Sequence, residues 1–238
     1  MALHVCVCET QSMPHRAPAL IFDLDGTLTD SKGGILGCLR KVLAARGMQH
    51  PVSLDRFIGP PVEEWVTYLL PDGTKEDHAA LAREYRACYD REGWSNNAVF
   101  FGIREMLDDL HRAGVPLYVC TSKQEHFAVR ILDAFALSRF FAAIYGDKAE
   151  YASHSKIDLL ARVLREQSLD RDCAWMVGGR GFDFEAAHAN NLRCIAAGWG
   201  YGSSEECAQA DVVAPTPADI TAFFAEPSEM PASSQNVI

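Results

Sequence analysis

Two carboxylates one residue apart, Asp23 and Asp25, stand directly after the apolar run Ala19-Leu20-Ile21-Phe22 and before Gly26-Thr27. An apolar run that short, bounded by turn residues, reads as a buried strand rather than a helix. Gly26 permits a tight turn that a side chain would obstruct. A strand ending in Asp-x-Asp-Gly-Thr therefore delivers two acids to the carboxyl edge of a sheet, where open α/β folds bind their ligands. Carboxylates there can attack a bound molecule or exchange protons with it. A lone Asp-x-Asp is more often an Asx turn with a solvated acid pair; the full pattern behind an apolar strand is much more specific.

Further polar groups stand at the ends of other apolar runs. Thr121-Ser122-Lys123 closes the run Val115 to Cys120, Lys156 opens a helical stretch, and Gly178-Gly179-Arg180-Gly181-Phe182-Asp183 follows Cys173 to Val177. Taken singly, Thr121 reads as a strand-end hydroxyl and Lys156 as a solvated helix lysine. Their meaning comes from order and context.

The elements that must position these groups are legible in the periodicity. After Ser31 the apolar residues Ile35, Leu36, Leu39, Val42 and Leu43 recur at helical spacing, and Gly47 can end that helix. A short helical piece is expected from Ser53 to Gly59, a segment opened by Pro60-Pro61 through Leu70, and a long helix from a Thr74–Asp77 capping box to about Arg91. Beyond Asn97 the chain alternates. Helices are expected over Gly102–Ala113, Gln124–Ala136, Ser155–Gln167, Asp183–Asn190, Ser203–Ala208 and Thr216–Ala225. Strands are expected over Val115–Cys120, Phe140–Tyr145, Cys173–Val177, Arg193–Ala197 and Asp211–Val213. Alternating strands and helices predict parallel βαβ units, an α/β doubly wound sheet. The expected division is a core of residues 18–30 plus 98–226, a helical insertion over 31–97, and disordered extensions at 1–17 and 227–238.

Composition narrows the class. The 238 residues suffice for one large or two modest domains. A formal charge of −10 argues against general affinity for nucleic-acid polymers or anionic membrane, while leaving an anionic small substrate open. No hydrophobic run has membrane length, and the first residues lack the basic start and apolar centre of a signal peptide. The eight cysteines form no C-x-x-C pair, and His4-Val-Cys6-Val-Cys8 lacks a second ligand cluster for a metal. A reducing cytoplasm is the default expectation.

Asp23-Leu-Asp25-Gly-Thr resembles the first motif of the haloacid dehalogenase (HAD) superfamily. Thr121 matches the family's second motif, Lys156 its third, and Gly178-Gly179-Arg180-Gly181-Phe182-Asp183 stands where the fourth, metal-binding motif is usually Gly-Asp-x-x-x-Asp. The helical insertion, Ile58-Gly59-Pro60-Pro61 and Gly198-Trp-Gly-Tyr-Gly202 are most similar to the phosphoglycolate phosphatase-like branch. The resemblance implies a Rossmann-like core with an inserted helical cap, and hydrolysis of a small phosphate monoester by a monomer or homodimer. It casts Asp23 as nucleophile, Asp25 as general acid and base, and Thr121, Ser122 and Lys156 as holders of the phosphoryl oxygens. Asp23, Asp25 and Asp183 are then the ligands of Mg²⁺. Physical chemistry agrees, since phosphoryl transfer is mainly positioning and charge neutralisation. A mutase would also keep Asp25. One departure stands out: Gly179 replaces a metal carboxylate, which implies a weakened Mg²⁺ site, or else a catalytically weak protein that binds a phospholigand or a partner.

Overall fold

Ala19–Phe22 forms the strand its apolar run predicts, β1, and it lies at the centre of the sheet. The structure is a computed structural model and describes residues 18–49, 53–148, 150 and 155–225. The extensions expected at 1–17 and 227–238, and the His4–Cys8 run, lie outside the described residues. The remaining strands are β2 (Thr29–Asp30), β3 (Ala98–Val99), β4 (Leu117–Gln124), β5 (Ala143–Asp147), β6 (Ala174–Gly178), β7 (Arg193–Ala197) and β8 (Val212–Ala214). The helices are α1 (Lys32–Ala45), α2 (Val62–Leu69), α3 (Lys75–Cys88), α4 (Ile103–Arg112), α5 (Glu125–Ala134), α6 (Lys156–Glu166), α7 (Gly181–Ala189), α8 (Ser204–Cys207) and α9 (Pro217–Ala225).

Six strands form one parallel sheet in the order β5-β4-β1-β6-β7-β8. The chain leaves β1 for β4 and β5 on one side, then returns to β6, β7 and β8 on the other. The strand order thus reverses at β1, and the crevice beyond its carboxyl end is where such sheets hold ligands. Alternation along β1 builds both layers of the core. Leu20 and Phe22 face a cluster with Met106, Leu107, Ile131 and Ile220 from α4, α5 and α9, while Ala19 and Ile21 face one with Leu160, Val163 and Phe184 from α6 and α7.

Helices α1 to α3 pack around a third cluster that includes Leu39, Leu54, Trp65, Leu81 and Tyr89. The Thr74–Asp77 capping box forms at the start of α3. Several expectations need correction. The helix expected to reach Arg91 ends at Cys88 and continues as a π-helical turn, Tyr89–Gly93. The helical piece after Ser53 is only a 3₁₀ turn, Asp55–Phe57. The strand expected from Phe140 starts at Ala143, because Ser138–Phe140 is a 3₁₀ turn. Strand β4 runs past Cys120 to Gln124, with a shift of register against β5. Helix α7 begins at Gly181, two residues before Asp183. The antiparallel pair of β2 and β3 had no signal in the sequence, being two residues long on each side.

Candidate active site

Each acid is placed by backbone contacts at the end of β1. The Asp23 N–H donates to Val177 O (2.9 Å), which fixes Asp23 beside the end of β6. The chain then turns, with the Leu28 and Thr29 N–H groups both donating to Leu24 O (3.0 Å each) and Gly26 at φ +83°. No side chain suits Gly26, because a Cβ there would meet the Tyr201 ring at 2.4 Å. The Gly198–Gly202 loop holds this turn from outside. Trp199 Nε1 donates to Thr27 O (2.9 Å), and Tyr201 Oη donates to Asp30 Oδ1 (2.6 Å).

The structure brings three of the sequence candidates together. Lys156 Nζ, at the first turn of α6, lies 2.6 Å from Asp23 Oδ1 and also donates to Asp183 Oδ1. All three side chains are buried. Asp183 Oδ2 accepts the Arg180 N–H at 3.0 Å, so this acid also closes the first turn of α7. Its carboxylate explains Gly178, where a Cβ would lie 2.4 Å from Asp183 Oδ2. Thr121 is buried on the same sheet edge, two residues beyond Val119, the β4 partner of Phe22. Ser122 lines a cavity with Asp25 and with Trp65, Tyr85 and Tyr89 of the helical segment after β2.

Asp25 has a partner that the sequence reading missed. Lys123 Nζ lies 2.8 Å from Asp25 Oδ2, and both side chains are less than a tenth exposed. Lys123 also donates to Tyr89 Oη at 2.8 Å. One ammonium thus joins the acidic turn to the π-helical turn above it. The only sequence signal was the position of Lys123 next to Thr121-Ser122. A second link is Arg180, which donates to Ile58 O (2.7 Å) and pairs with Glu206 (3.0 Å).

Burial sets the electrostatics. Asp23 is pushed up to about 7, first by desolvation and then by neighbouring Asp183 and Asp25, with Lys156 pulling the other way. Burial works against charge on Lys156 and Lys123, but the adjoining carboxylates outweigh it and both are raised, so both ammonium groups stay charged. Desolvation raises Asp23 while the lysine's own charge is favoured. The cluster therefore sets a charged Lys156 beside an Asp23 carboxyl whose ionisation is within reach of neutral pH.

A hard cation takes oxygen ligands, and the acidic turn can offer them. Asp25 Oδ1 is buried without a hydrogen-bond partner among the described residues, an orphaned acceptor of the kind a cation satisfies. Asp23 and Asp25 therefore fit Mg²⁺. Asp183 offers less, because Lys156 and the Arg180 N–H already engage its two oxygens. Gly179 has little room: a Cβ there would come 2.7 Å from Gly26 O.

Residues 20–197 match the model of the haloacid dehalogenase-like hydrolases. The chain belongs to that family. It is 39% identical over 197 residues to a tyrosine-protein kinase, PtkA, of Mycobacterium tuberculosis, covering 82% of this chain and 67% of that protein. It is 38% identical over 194 residues to a 5'-nucleotidase of Pseudomonas aeruginosa, covering 80% of this chain and 87% of the relative. Phosphoglycolate phosphatases are also among its relatives. A solved structure described as a predicted phosphatase from Clostridium acetobutylicum superposes with a TM-score of 0.82 at 30% identity, over 88% of this chain and 99% of the other. As a haloacid dehalogenase-like hydrolase, the protein carries its acids where the sheet order reverses. No helix among the described residues is long and apolar enough to cross a membrane.

Proposed function

We propose that this chain hydrolyses a small phosphate monoester through an aspartyl phosphate on Asp23. The observation that carries the reading is the buried contact of Asp23 Oδ1 with Lys156 Nζ at 2.6 Å, at the crevice where the strand order reverses. A nucleophile and the cation that will meet the phosphoryl oxygens stand side by side before substrate arrives. Phosphatase and nucleotidase relatives support the same class.

In the first half-reaction Asp23 attacks phosphorus, the P–O bond to the alcohol breaks, and Asp25 gives the departing oxygen its proton. In the second, Asp25 takes a proton from water as that water attacks the aspartyl phosphate, releasing phosphate and regenerating Asp23. Thr121, Ser122 and Lys156 hold the phosphoryl oxygens, and Asp183 holds Lys156. Asp23 and Asp25, with Asp183 in support, would hold Mg²⁺, which would supply the charge that screens a carboxylate from a phosphate dianion. Lys123 fixes Asp25 and ties it to Tyr89, so α1 to α3 act as a cap that closes water out. The six described cysteines are all free, in keeping with a reducing cytoplasm.

Phosphate release from a panel of nucleotides, sugar phosphates and phosphoglycolate, with and without Mg²⁺, tests the reading. Turnover that requires Mg²⁺ and Asp23 supports it. A second reading is favoured by Gly179, where a metal carboxylate is absent and poorly accommodated. It is a weakly catalytic protein that binds the same phosphate esters. Binding of the panel without release of phosphate would select it.

A further inference from the structure

At the far end of α7 from Asp183, three donors of different chemistry converge. His188 Nε2 lies 3.4 Å from Asp211 Oδ2, Cys194 Sγ lies 3.4 Å from His188 Nε2, and Cys194 Sγ lies 3.4 Å from Asp211 Oδ2. They form a triangle of equal edges. Cys194 lies near the amino end of β7, while the acids of the active site follow the carboxyl end of β1. The parallel sheet therefore puts the two clusters toward opposite edges.

We infer that His188, Cys194 and Asp211 form a transition-metal site, suited to Zn²⁺, with three protein ligands and a fourth position open to water. Tetrahedral zinc, with bonds of about 2.0–2.3 Å to oxygen, nitrogen and sulfur, sets its ligands roughly 3.3–3.6 Å apart. The triangle matches one face of that tetrahedron. As a direct hydrogen bond, 3.4 Å between imidazole nitrogen and carboxylate oxygen is long, beyond the usual limit of about 3.2 Å. As a ligand-to-ligand separation it is ordinary. Thiolate, imidazole and carboxylate are the three ligand types that zinc accepts.

The surroundings fit. The side chains of His188 and Asp211 are 48% and 42% exposed, which leaves a path for the ion and for water, while Cys194 is buried beneath them. The Cys194 N–H also donates to Asp211 Oδ2 at 2.8 Å and orients that carboxylate. The neighbouring cation, Arg193, is turned away, with its guanidinium 4.0 Å from the centre of the Trp175 ring. Desolvation pushes the Cys194 thiol up to about 12. Metal binding displaces the thiol proton to solvent as the Zn–S bond forms, and the Asp211 carboxylate supplies a second anionic ligand.

The test is titration of the full chain with Co²⁺ as a spectroscopic probe, and with Zn²⁺ against a chromogenic chelator. Wild type should show a thiolate-to-cobalt charge-transfer band. Cys194→Ser should abolish the band. His188→Ala, at an exposed position, should weaken Zn²⁺ binding by at least about tenfold, since even the loss of an outer-shell partner costs that much. Cys38→Ser is the control, because Cys38, Cys88 and Glu92 form the other trio of grouped donors among the described residues. A band that survives Cys194→Ser but is lost in Cys38→Ser would overturn the assignment. So would a wild-type protein without the band, or unchanged zinc affinity in His188→Ala.

Discussion

The Cα of Gly179 sits so close to the acidic turn that a Cβ built on it would lie 2.7 Å from the carbonyl oxygen of Gly26. Two further glycines crowd the same backbone. A Cβ on Gly200 would lie 2.3 Å from Gly26 O, and one on Gly202 would lie 2.4 Å from Gly179 O. The residue that departs from the metal-binding motif is thus part of a close backbone packing around the turn that follows Asp23. Gly179→Asp would add a metal carboxylate and overpack this contact at the same time. We expect the variant to lose about 1–3 kcal/mol of stability without Mg²⁺. It should also bind Mg²⁺ about tenfold more tightly, a gain of about 1.4 kcal/mol. Thermal melts across a Mg²⁺ series read both effects. A variant with an unchanged melting temperature and an unchanged Mg²⁺ midpoint would remove the impaired-metal account.

Asp23→Asn keeps the size of the nucleophile and removes its anionic oxygen. Phosphate release should fall by at least about a thousandfold, as loss of a covalent step does when the remaining groups cannot replace it. The fold should persist, because β1 is held by Leu20, Ile21 and Phe22 on both faces. Circular dichroism beside a phosphate assay separates the two. Wild-type turnover in a folded Asn variant would reassign the nucleophile.

Lys123 makes two contacts that single substitutions can separate. Lys123→Met leaves the Asp25 carboxylate buried without its cation, and breaking such a pair costs about 3–5 kcal/mol. Tyr89→Phe removes only the hydrogen bond to the π-helical turn, worth about 1 kcal/mol. Urea unfolding should rank the two variants in that order, and turnover should fall further in Lys123→Met because Asp25 loses its support. Equal, small losses in both would mean that Lys123 serves the cap and not the acid.

The raised Asp23 gives a pH signature. Its carboxyl is pushed to about 7, chiefly by burial, and in the proposed mechanism only the carboxylate attacks phosphorus. At low Mg²⁺ the rate should therefore climb as pH rises through about 7 and level off above. A bound cation favours the carboxylate, so saturating Mg²⁺ should move this limb to lower pH. Rate–pH profiles at two Mg²⁺ concentrations check both points. A limb near 4, the ordinary carboxylate range, at both concentrations would contradict the burial of the nucleophile.

Local pattern decided much of this protein. The apolar run Ala19–Phe22, the Asp23-x-Asp25 spacing, the Thr74–Asp77 capping box and the alternation of strands with helices are readable from the sequence, because each depends on neighbours a few residues apart. Asp23 stands out for the same reason, whereas Lys156 and Asp183 stand out only through the resemblance to the family's motifs. What the tertiary structure alone decided are contacts across long separations. Lys123 meets Asp25 and Tyr89 only because β4 shifts register and runs on to Gln124. Thr29 pairs with Val99 across the whole helical insertion, in strands too short to leave a periodic signal. Gly179 is confined by Gly26 because β1 and β6, far apart in the chain, lie side by side, and Cys194 meets Asp211 because β7 pairs with β8. Sequence spacing determines which face of an element a side chain takes; only sheet order and register determine what that face meets.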